Sequence, residues 1–295
     1  MYYRRKLALS LLRVFGGRLG GSEMQKFLFL VSRHQKKASY EFVPYNYGCF
    51  SFQADADRRT LIKYGLLKDE DGWTLRTNTD YSASLRGGDI TALLQVKKRY
   101  SHLRGNALLR RVYTEYPFYA INSEIIEDVL DESDRQIVER ARPRRRGQRL
   151  FTMGYEGVSF ERFLTALLIH DIRLVCDVRR NPVSMKFGFS RRQLLTACRG
   201  LDIEYVHIPE LGIASNKRRS LAGQKDYEKL FEQYERKTLK KETGSLEHIR
   251  DLIVKWQRIV LVCFEASPLQ CHRGRVASAL QEFDGWDARV QHIAA

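Results

Sequence analysis

The sequence predicts two domains, a mainly α winged-helix domain followed by an α/β domain with a mostly parallel, doubly wound sheet. Three observations lead to this prediction. Residues 1–140 are largely helical and contain two short strands, whereas residues 149–295 alternate between strand and helix. An arginine-rich segment, 141–148, separates the two parts. A chain of 295 residues is long enough for two domains of ordinary size.

The arginine-rich segment is predicted to be a basic linker. Within the run RARPRRRGQR, Pro143 and Gly147 prevent a continuous helix, and the arginines repel one another and stay solvated. The same side chains are candidates for contacts with phosphate groups. These candidates are Arg142, Arg144, Arg145 and Arg146.

The N-terminal part has the element order of a winged helix. A periodic segment at 6–15 ends at a Gly-Gly pair, and the sequence SEMQ at 22–25 has the pattern of a capping box that opens a second helix. A third helix is predicted at 54–64, followed at 66–76 by two short strands around an Asp-Gly turn. Three helices and a two-stranded wing are typical of that fold.

The third helix would be the recognition helix of such a domain. Its candidate nucleic-acid contacts are Arg58, Arg59 and Lys63. Asp55 and Asp57 on the same helix argue against contact with a phosphate backbone. Since winged helices also bind proteins, binding to DNA and binding to a protein partner both stay open.

The C-terminal part is predicted to form a parallel sheet, because strands and helices alternate with short loops. Ser159 is the predicted cap of a helix at 160–169, and Ser190 with Gln193 forms a predicted capping box. The predicted strands are 149–153, 173–179, 203–209, 258–265 and 288–293.

Polar side chains follow each of the first four predicted strands. The carboxyl ends of parallel strands lie at one edge of a sheet, where ligands bind, so these residues predict one functional site. Glu156, Asp177, Glu265 and His272 are candidates for acid–base catalysis, and the acids could also hold a divalent metal. Candidate residues for substrate or phosphate binding are Tyr155, Arg179, Arg180, Asn181, Lys186, His207, Glu210 and Arg273.

Cys271 is a candidate nucleophile. It stands at a predicted helix N-terminus beside Arg273, and both features should lower the pKa of its thiol. The Cys-x5-Arg loop of phosphatases and sulfurtransferases is absent, since the residue six positions after Cys263 is Leu269. A role in packing or in a phosphate-binding turn stays open for both cysteines.

A zinc site has less support from the sequence. Cys263, Cys271, His272 and His207 have the required chemistry, but no CxxC pattern supports the assignment, so no metal ligand is assigned. Cys49, Cys176 and Cys198 are interpreted as core residues.

Charge and cysteine usage narrow the class of protein. The formal net charge of +16, from 51 basic and 35 acidic residues, favours an anionic partner, most commonly nucleic acid, with DNA expected before RNA. No apolar run reaches transmembrane length, so a membrane is not an expected partner. Five scattered cysteines do not indicate a disulfide framework, and a cytoplasmic location is expected.

Four stretches of the C-terminal half resemble the bacterial family of domains of unknown function numbered 488. They are TMGYEG at 152–157, DVRRNPVSMKFGFSRRQL at 177–194, IEYVHIPELG at 203–212 and LVCFEASPLQCHR at 261–273. The resemblance implies a Rossmann-like α/β domain with a polar site at the strand ends. It also implies a link to nucleic-acid or nucleotide processing.

The N-terminal half is similar to the winged-helix domains of the SocA-like antitoxin group. The similarity rests on QKFLFLVSR at 25–33, YEFVPYNYGCFSF at 40–52 and VYTEYPFY at 112–119. It implies protein contacts, toxin control or phage conflict, and therefore regulation or targeting rather than catalysis.

Three functions follow as hypotheses. The first is a nucleic-acid-associated hydrolase or transferase whose C-terminal site binds and processes a nucleotide, base or phosphate-bearing substrate. The second is a non-catalytic winged-helix regulator or sensor that binds DNA or a protein partner. The third is a thiol enzyme that uses Cys271.

Overall fold

The computed structural model describes residues 1–214 and 224–294, and the chain divides into two compact units, Met1–Arg142 and Pro143–Ala295. Within the described residues, no helix has both the length and the apolar character that crossing a membrane requires.

The N-terminal unit is mainly helical. Its helices are α1 (Tyr3–Val14), α2 (Gly21–His34), α3 (Phe52–Lys63), α4 (Gly87–Tyr100), α5 (Gly105–Glu115), α6 (Ile126–Val129) and α7 (Glu132–Ala141). Its strands are β1 (Arg18–Leu19), β2 (Val43–Tyr45), β3 (Gly48–Phe50) and β4 (Trp73–Thr74). Two short 3-10 helices lie at Ser82–Ser84 and Pro117–Ala120.

The first part of this unit contains the elements predicted for a winged helix. The chain runs from α1 through β1 to α2 and α3, and then into a turn in which Leu67 pairs with Leu75. β4 pairs antiparallel with β1, which joins this hairpin to the start of the unit. The order is compatible with the predicted winged helix. The β2–β3 hairpin between α2 and α3 was not predicted.

The start of α2 differs from the prediction. The helix begins at Gly21, and the carboxylate of Glu23 accepts a hydrogen bond of 3.0 Å from the backbone N–H of Gly20. The N-cap is therefore Gly20 and not Ser22. Every residue from Met24 to Val31 is buried, so α2 is the central helix of the unit.

The C-terminal unit is built on one sheet of five strands. They are β5 (Arg149–Gly154), β6 (Leu174–Asp177), β7 (Glu204–His207), β8 (Arg258–Cys263) and β9 (Arg289–Ile293). Their order across the sheet is β7-β6-β8-β5-β9, and every neighbouring pair is parallel. The predicted parallel α/β fold is therefore confirmed.

Helices cover both faces of this sheet. They are α8 (Phe160–Ile169), α9 (Arg191–Arg199), α10 (Gln224–Tyr234), α11 (Thr243–Trp256) and α12 (His272–Gln281), with a π-helical turn at Glu235–Leu239 and 3-10 helices at Pro209–Leu211 and Pro268–Gln270. α11 and α12 pack on the face that contains Leu150 and Leu261. On the opposite face, Phe151 contacts the ring of His170 at the end of α8.

Two predicted helix caps have different outcomes. Ser159 caps α8 as predicted, since its Oγ accepts a hydrogen bond of 3.1 Å from the backbone N–H of Arg162. Ser190 precedes α9, but its hydroxyl hydrogen-bonds the backbone of Ser184 and makes no cap. The predicted capping box of α9 is therefore wrong, because the hydroxyl closes the preceding loop.

Candidate functional site

The strand order creates a crevice between β6 and β8. After β6 the chain runs outward to the edge strand β7, whereas after β8 it runs the other way, to β9 at the opposite edge. Neighbouring strands whose connections diverge leave a gap at their carboxyl ends, and ligands of open α/β sheets bind there.

A cleft of about 370 Å³ lies at this position. It is lined by residues that follow β5, β6 and β8, including Tyr155, Arg180, Asn181, Phe264 and Glu265. The side chains of Arg180 and Asn181 are exposed, and the ring of Phe264 is 42% exposed. The cleft therefore presents a cation, an amide and an aromatic surface together.

Beside the cleft lies a buried group of polar residues, the Asp177 network. Asp177 is completely buried, and its carboxylate accepts hydrogen bonds from Nε of Arg179 at 2.8 Å and from the hydroxyl of Tyr205 at 2.6 Å. Nη2 and the backbone N–H of Arg179 donate to the same carboxylate. Burial lowers the pKa of Arg179, but the hydrogen bonds and charge of Asp177 outweigh it and raise the pKa overall. Both charges are thus matched inside the protein.

The remaining donors of the network also make hydrogen bonds within the protein. Nη1 of Arg179 donates to the Tyr155 hydroxyl at 2.7 Å and to the backbone carbonyl of Phe189 at 2.9 Å. His207 contacts the carbonyl of Arg179 through Nε2 at 2.8 Å. The Asp177 network consists of Tyr155, Asp177, Arg179, Tyr205 and His207. Of these residues, Tyr155 and Arg179 line the cleft, and Asp177 lies behind them.

Lys186 is also held internally. Its Nζ donates to the backbone carbonyl of Tyr155 at 2.6 Å and lies 5.6 Å from the ring centroid of Phe189. Phe189 in turn stacks on the Tyr155 ring at 4.1 Å. Burial lowers the pKa of Lys186, and the charge of Glu156 partly offsets this.

Arg180 borders a second cleft, of about 320 Å³, that also contains Glu210. Lys237 and Thr238 of the π-helical turn line the same cleft. Gly212 allows this close packing, since a Cβ there would lie 2.1 Å from the backbone nitrogen of Arg180. Arg180 is therefore placed to contact ligands in either cleft.

Four side chains at and after the end of β8 form a second polar group, the Cys–His cluster. It consists of Cys263, Glu265, Cys271 and His272, whose ligand-type atoms all lie within 4.8 Å of one another. Sγ of Cys263 is 3.2 Å from Oε2 of Glu265 and 3.6 Å from Nδ1 of His272. Sγ of Cys271 is 4.0 Å from the same nitrogen. Such a set of S, N and O donors is able to hold a metal ion.

The expected low pKa of the Cys271 thiol is wrong. Cys271 does precede α12, but only 1% of it is exposed. Burial and the neighbouring Cys263 raise the pKa of Cys271 well above its ordinary value, and His272 offsets this only in part. A buried thiol with a raised pKa is a poor nucleophile.

Arg273 and Glu156 hold the loop after β8. The guanidinium of Arg273 is buried and donates to the backbone carbonyls of Glu265 and Ala266. Glu156 is exposed, and its Oε2 accepts a hydrogen bond of 3.0 Å from the N–H of Ala266. Gly154 permits the loop to cross β5, because a Cβ there would lie 1.8 Å from the carbonyl oxygen of Glu265.

The candidate contacts on α3 divide into two kinds. Arg58 donates to the backbone carbonyls of Gly72, at 2.6 Å, and Glu70, and so supports the turn before β4. Arg59 pairs with Asp55 at 2.8 Å, and both Arg59 and Lys63 are exposed. Asp57, in contrast, is completely buried.

Asp57 binds arginines of α1. Its carboxylate lies 2.6 Å from Nε of Arg4 and 2.7 Å from Nε of Arg5, and it accepts a hydrogen bond from the Tyr40 hydroxyl at 3.1 Å. Asp57 therefore ties α3 to α1 and does not repel a phosphate backbone from the exposed face.

The predicted linker arginines differ in their contacts. Arg142 donates to the side chain of Asn122 at 3.2 Å and to the carbonyl of Ile121, so it belongs to the N-terminal unit. Arg144, Arg145 and Arg146 are exposed, and the backbone N–H of Arg145 donates to Asp171 at 2.8 Å.

Sequence reasoning placed only part of the Cys–His cluster. Three of the four residues considered for zinc do come together, but His207 belongs to the Asp177 network. Glu265 takes the fourth position. The signal in the sequence was the spacing Cys263-x-Glu265, which places both side chains at the end of one strand.

The comparison with known protein families agrees with the motifs at the strand ends. The family described as Domain of unknown function DUF488 matches residues 159–280, from the cap of α8 into α12. No curated protein and no solved structure matches the chain significantly. The matched region includes the ends of β6 and β8 and all four residues of the Cys–His cluster. Residues 159–280 of the C-terminal unit are therefore similar to the DUF488 family.

Proposed function

We propose that the C-terminal unit binds and processes a nucleotide, a base or a phosphate-bearing part of a nucleic acid in the cleft between β6 and β8. One observation carries this proposal: the exposed side chains of Arg180 and Asn181 line the same cleft as the exposed ring of Phe264. A guanidinium pairs with phosphate, and an aromatic ring stacks on a base, so the cleft matches both parts of a nucleotide.

The charge of the chain supports the same class of ligand. A net charge of +16 raises the local concentration of polyanions and speeds their association. DNA is the expected nucleic acid before RNA, and a cytoplasmic location is part of the proposal. The five cysteines, none of which forms a disulfide, are compatible with a reducing compartment.

We assign acid–base chemistry on the ligand to two carboxylates in or near the cleft. Glu265 lines the cleft, and Glu156 lies on the adjoining loop after β5. Asp177 is not proposed for this role, because its carboxylate is completely buried and saturated with donors. The reaction class is hydrolysis or group transfer, in which a carboxyl group accepts or delivers a proton.

The test is a comparison of two variants that lose the same charge at opposite edges of the sheet. Arg180→Gln removes the cleft cation, whereas Arg289→Gln removes an exposed cation at the amino end of β9. Binding of fluorescein-labelled DNA and RNA oligonucleotides and of mononucleotides is measured by anisotropy. We expect Arg180→Gln to weaken binding about tenfold, or about 1.4 kcal/mol, and Arg289→Gln to bind nearly as wild type does.

Equal losses in the two variants would show that binding depends on overall charge and would refute the cleft as the site. Chromatography of the same mixtures tests for turnover. We expect a product with wild type and much less product with Glu156→Gln. Tight binding without any product would support a sensor instead of an enzyme.

A second candidate function is DNA or partner binding by the N-terminal unit. Because Asp57 is buried, its negative charge is absent from the exposed face of α3. That face carries Arg59 and Lys63, and Asp55 is the acidic residue beside them. Duplex DNA should bind more weakly to Lys63→Gln. The slope of log affinity against log salt concentration should decrease by about 0.9, which corresponds to one phosphate contact. An unchanged affinity and salt dependence would leave protein binding as the function of this face.

A further inference from the structure

We propose that the Cys–His cluster is a zinc site whose ligands are Cys263, Glu265, Cys271 and His272. The inference does not depend on the proposed nucleotide function. It rests on the convergence of two thiols, one imidazole and one carboxylate on a shared centre, with all four ligand-type atoms within 4.8 Å of one another.

The distances between these atoms fit a tetrahedral ion. Zn–S bonds of about 2.3 Å and Zn–N bonds of about 2.0–2.1 Å, at tetrahedral angles, separate a thiolate from an imidazole nitrogen by about 3.6 Å. Sγ of Cys263 lies 3.6 Å from Nδ1 of His272, and Sγ of Cys271 lies 4.0 Å from it. Small side-chain movements are enough to bring all four donors to a bonded ion.

His272 is already oriented as a ligand. Its Nε2 is 2.9 Å from the backbone carbonyl of Val178. Because a carbonyl only accepts hydrogen bonds, Nε2 carries the proton, and the neutral ring presents the lone pair of Nδ1 to the two sulfurs. A metal-bound histidine usually donates its other N–H in this way, which fixes both the tautomer and the ring orientation.

The chemistry of the donors selects the ion. Two sulfur ligands with one nitrogen and one oxygen suit zinc, whereas magnesium and calcium require oxygen ligands in larger number. Three of the four residues are buried, and the fourth, Glu265, is half-buried. The same atoms that contact one another here, the two sulfurs, Nδ1 of His272 and Oε2 of Glu265, are the atoms that would bind the ion.

The fold holds two of the four ligands at the ends of regular elements. Cys263 ends β8, and His272 begins α12. The buried Arg273 donates a hydrogen bond to the backbone carbonyl of Glu265 and so fixes the loop that carries this residue. Glu265 also lines the cleft between β6 and β8. In the zinc-bound protein the Glu265 carboxylate is a ligand, so the acid–base role in the cleft falls to Glu156.

The test uses the full-length protein purified with its thiols reduced. We expect about one zinc per chain by elemental analysis, consistent with one set of four ligands. After zinc is removed, Co²⁺ should bind with the thiolate-to-cobalt charge-transfer absorption and strong visible bands of a tetrahedral site. This spectrum is read on the wild-type protein and does not depend on whether a variant folds.

Variants locate the site. Cys263→Ser and His272→Gln should lose the metal and the charge-transfer band, and Glu265→Gln should keep the sulfur band with altered visible bands. Cys198→Ala is the control, because it removes a buried thiol of α9 outside the cluster and should bind Co²⁺ as wild type does. Wild-type protein that binds neither zinc nor Co²⁺ while its thiols are free would overturn the proposal. A Cys263–Cys271 disulfide that persists under these reducing conditions would also overturn it and would indicate a redox pair.

Discussion

The Asp177 network and the Cys–His cluster lie at the same end of the same sheet, yet the partners of their polar groups differ in kind. In the network, the carboxylate of Asp177 accepts from Arg179 and Tyr205, so charge and hydrogen bonds are satisfied within the protein. In the cluster, Sγ of Cys263 lies 3.2 Å from Oε2 of Glu265 and 3.6 Å from Nδ1 of His272, so three groups of metal-ligand type converge. The Asp177 network is satisfied by residues of the fold, whereas the Cys–His cluster is the proposed zinc site.

This difference separates structural residues from functional ones. A buried charge is stable only if it is paired and hydrogen-bonded, and such a pair leaves no group for a substrate. Asp57 of α3 obeys the same rule through Arg4 and Arg5. A polar residue that a sequence suggests as catalytic is therefore structural when the fold supplies its ion-pair and hydrogen-bond partners.

The largest expected effect is on the Asp177 network. Asp177→Asn leaves the buried Arg179 without its counter-charge, and we expect it to reduce the free energy of unfolding by about 3–5 kcal/mol. Asp251→Asn is the control, since Asp251 is an exposed partner of Arg250 at 3.9 Å and should cost less than about 1 kcal/mol. Urea unfolding followed by tryptophan fluorescence measures both, with Trp256 and Trp286 reporting on the C-terminal unit and Trp73 on the N-terminal unit. Normal stability of Asp177→Asn with lost turnover would make Asp177 catalytic.

The corresponding pair in the N-terminal unit should give a similar but smaller effect. Asp57→Asn breaks contacts to α1, but the side chain of Arg4 is 27% exposed and regains water, so we expect a loss of about 2–4 kcal/mol. Asp55→Asn, on the same helix, removes an exposed pair with Arg59 and should cost at most about 0.5 kcal/mol. Equal stabilities of the two variants, measured by circular dichroism in urea, would show that burial of Asp57 does not matter.

A smaller change should disturb the Cys–His cluster without altering a ligand. Gly154→Ala places a Cβ 1.8 Å from the carbonyl oxygen of Glu265, which must shift. We expect overpacking to cost about 1–3 kcal/mol and the affinity for Co²⁺ to fall. Gly244→Ala is the control, because its Cβ meets no neighbouring atom and a helical alanine should be neutral or stabilising. Unchanged Co²⁺ affinity in Gly154→Ala would show that the position of the Glu265 backbone does not govern the site.

The smallest effect on stability is expected at the exposed ring of the cleft. Phe264→Ala should leave the unfolding curve nearly unchanged and weaken oligonucleotide binding by about 1–3 kcal/mol through lost stacking. Leu269→Ala removes an exposed apolar side chain that does not line the cleft and should bind normally. The same loss in both variants, by anisotropy titration, would point to general surface hydrophobicity.

The sequence was sufficient for the architecture of the C-terminal unit. Ser159 and the helix after it were predicted to the residue, and alternation predicted the parallel sheet, because both depend on local pattern. The start of α2 was missed, since Glu23 caps a glycine that has no side chain to signal it. The β2–β3 hairpin was missed because its strands are three residues each.

The position of the site in the fold was predictable, but the contacts between its side chains were not. Parallel topology brings the residues after β6 and β8 to one edge, and the sequence shows this. Which side chains meet depends on rotamers and on loop geometry. Thus Arg179 hydrogen-bonds Asp177 and is not available to bind phosphate. Glu265, and not His207, lies beside Cys263 and Cys271. The raised pKa of Cys271 follows from burial, which helix position alone does not reveal.

Thermal unfolding of the reduced, metal-free protein at increasing free zinc concentration tests most directly whether the Cys–His cluster needs a cation. A ligand that binds only the folded state stabilises it by mass action, by about 2.7 kcal/mol at a hundredfold excess over its Kd. The Tm of the wild-type protein should therefore rise steadily with zinc, and the Tm of Cys271→Ser should not respond. The same Tm at every zinc concentration in the wild-type protein would contradict the account.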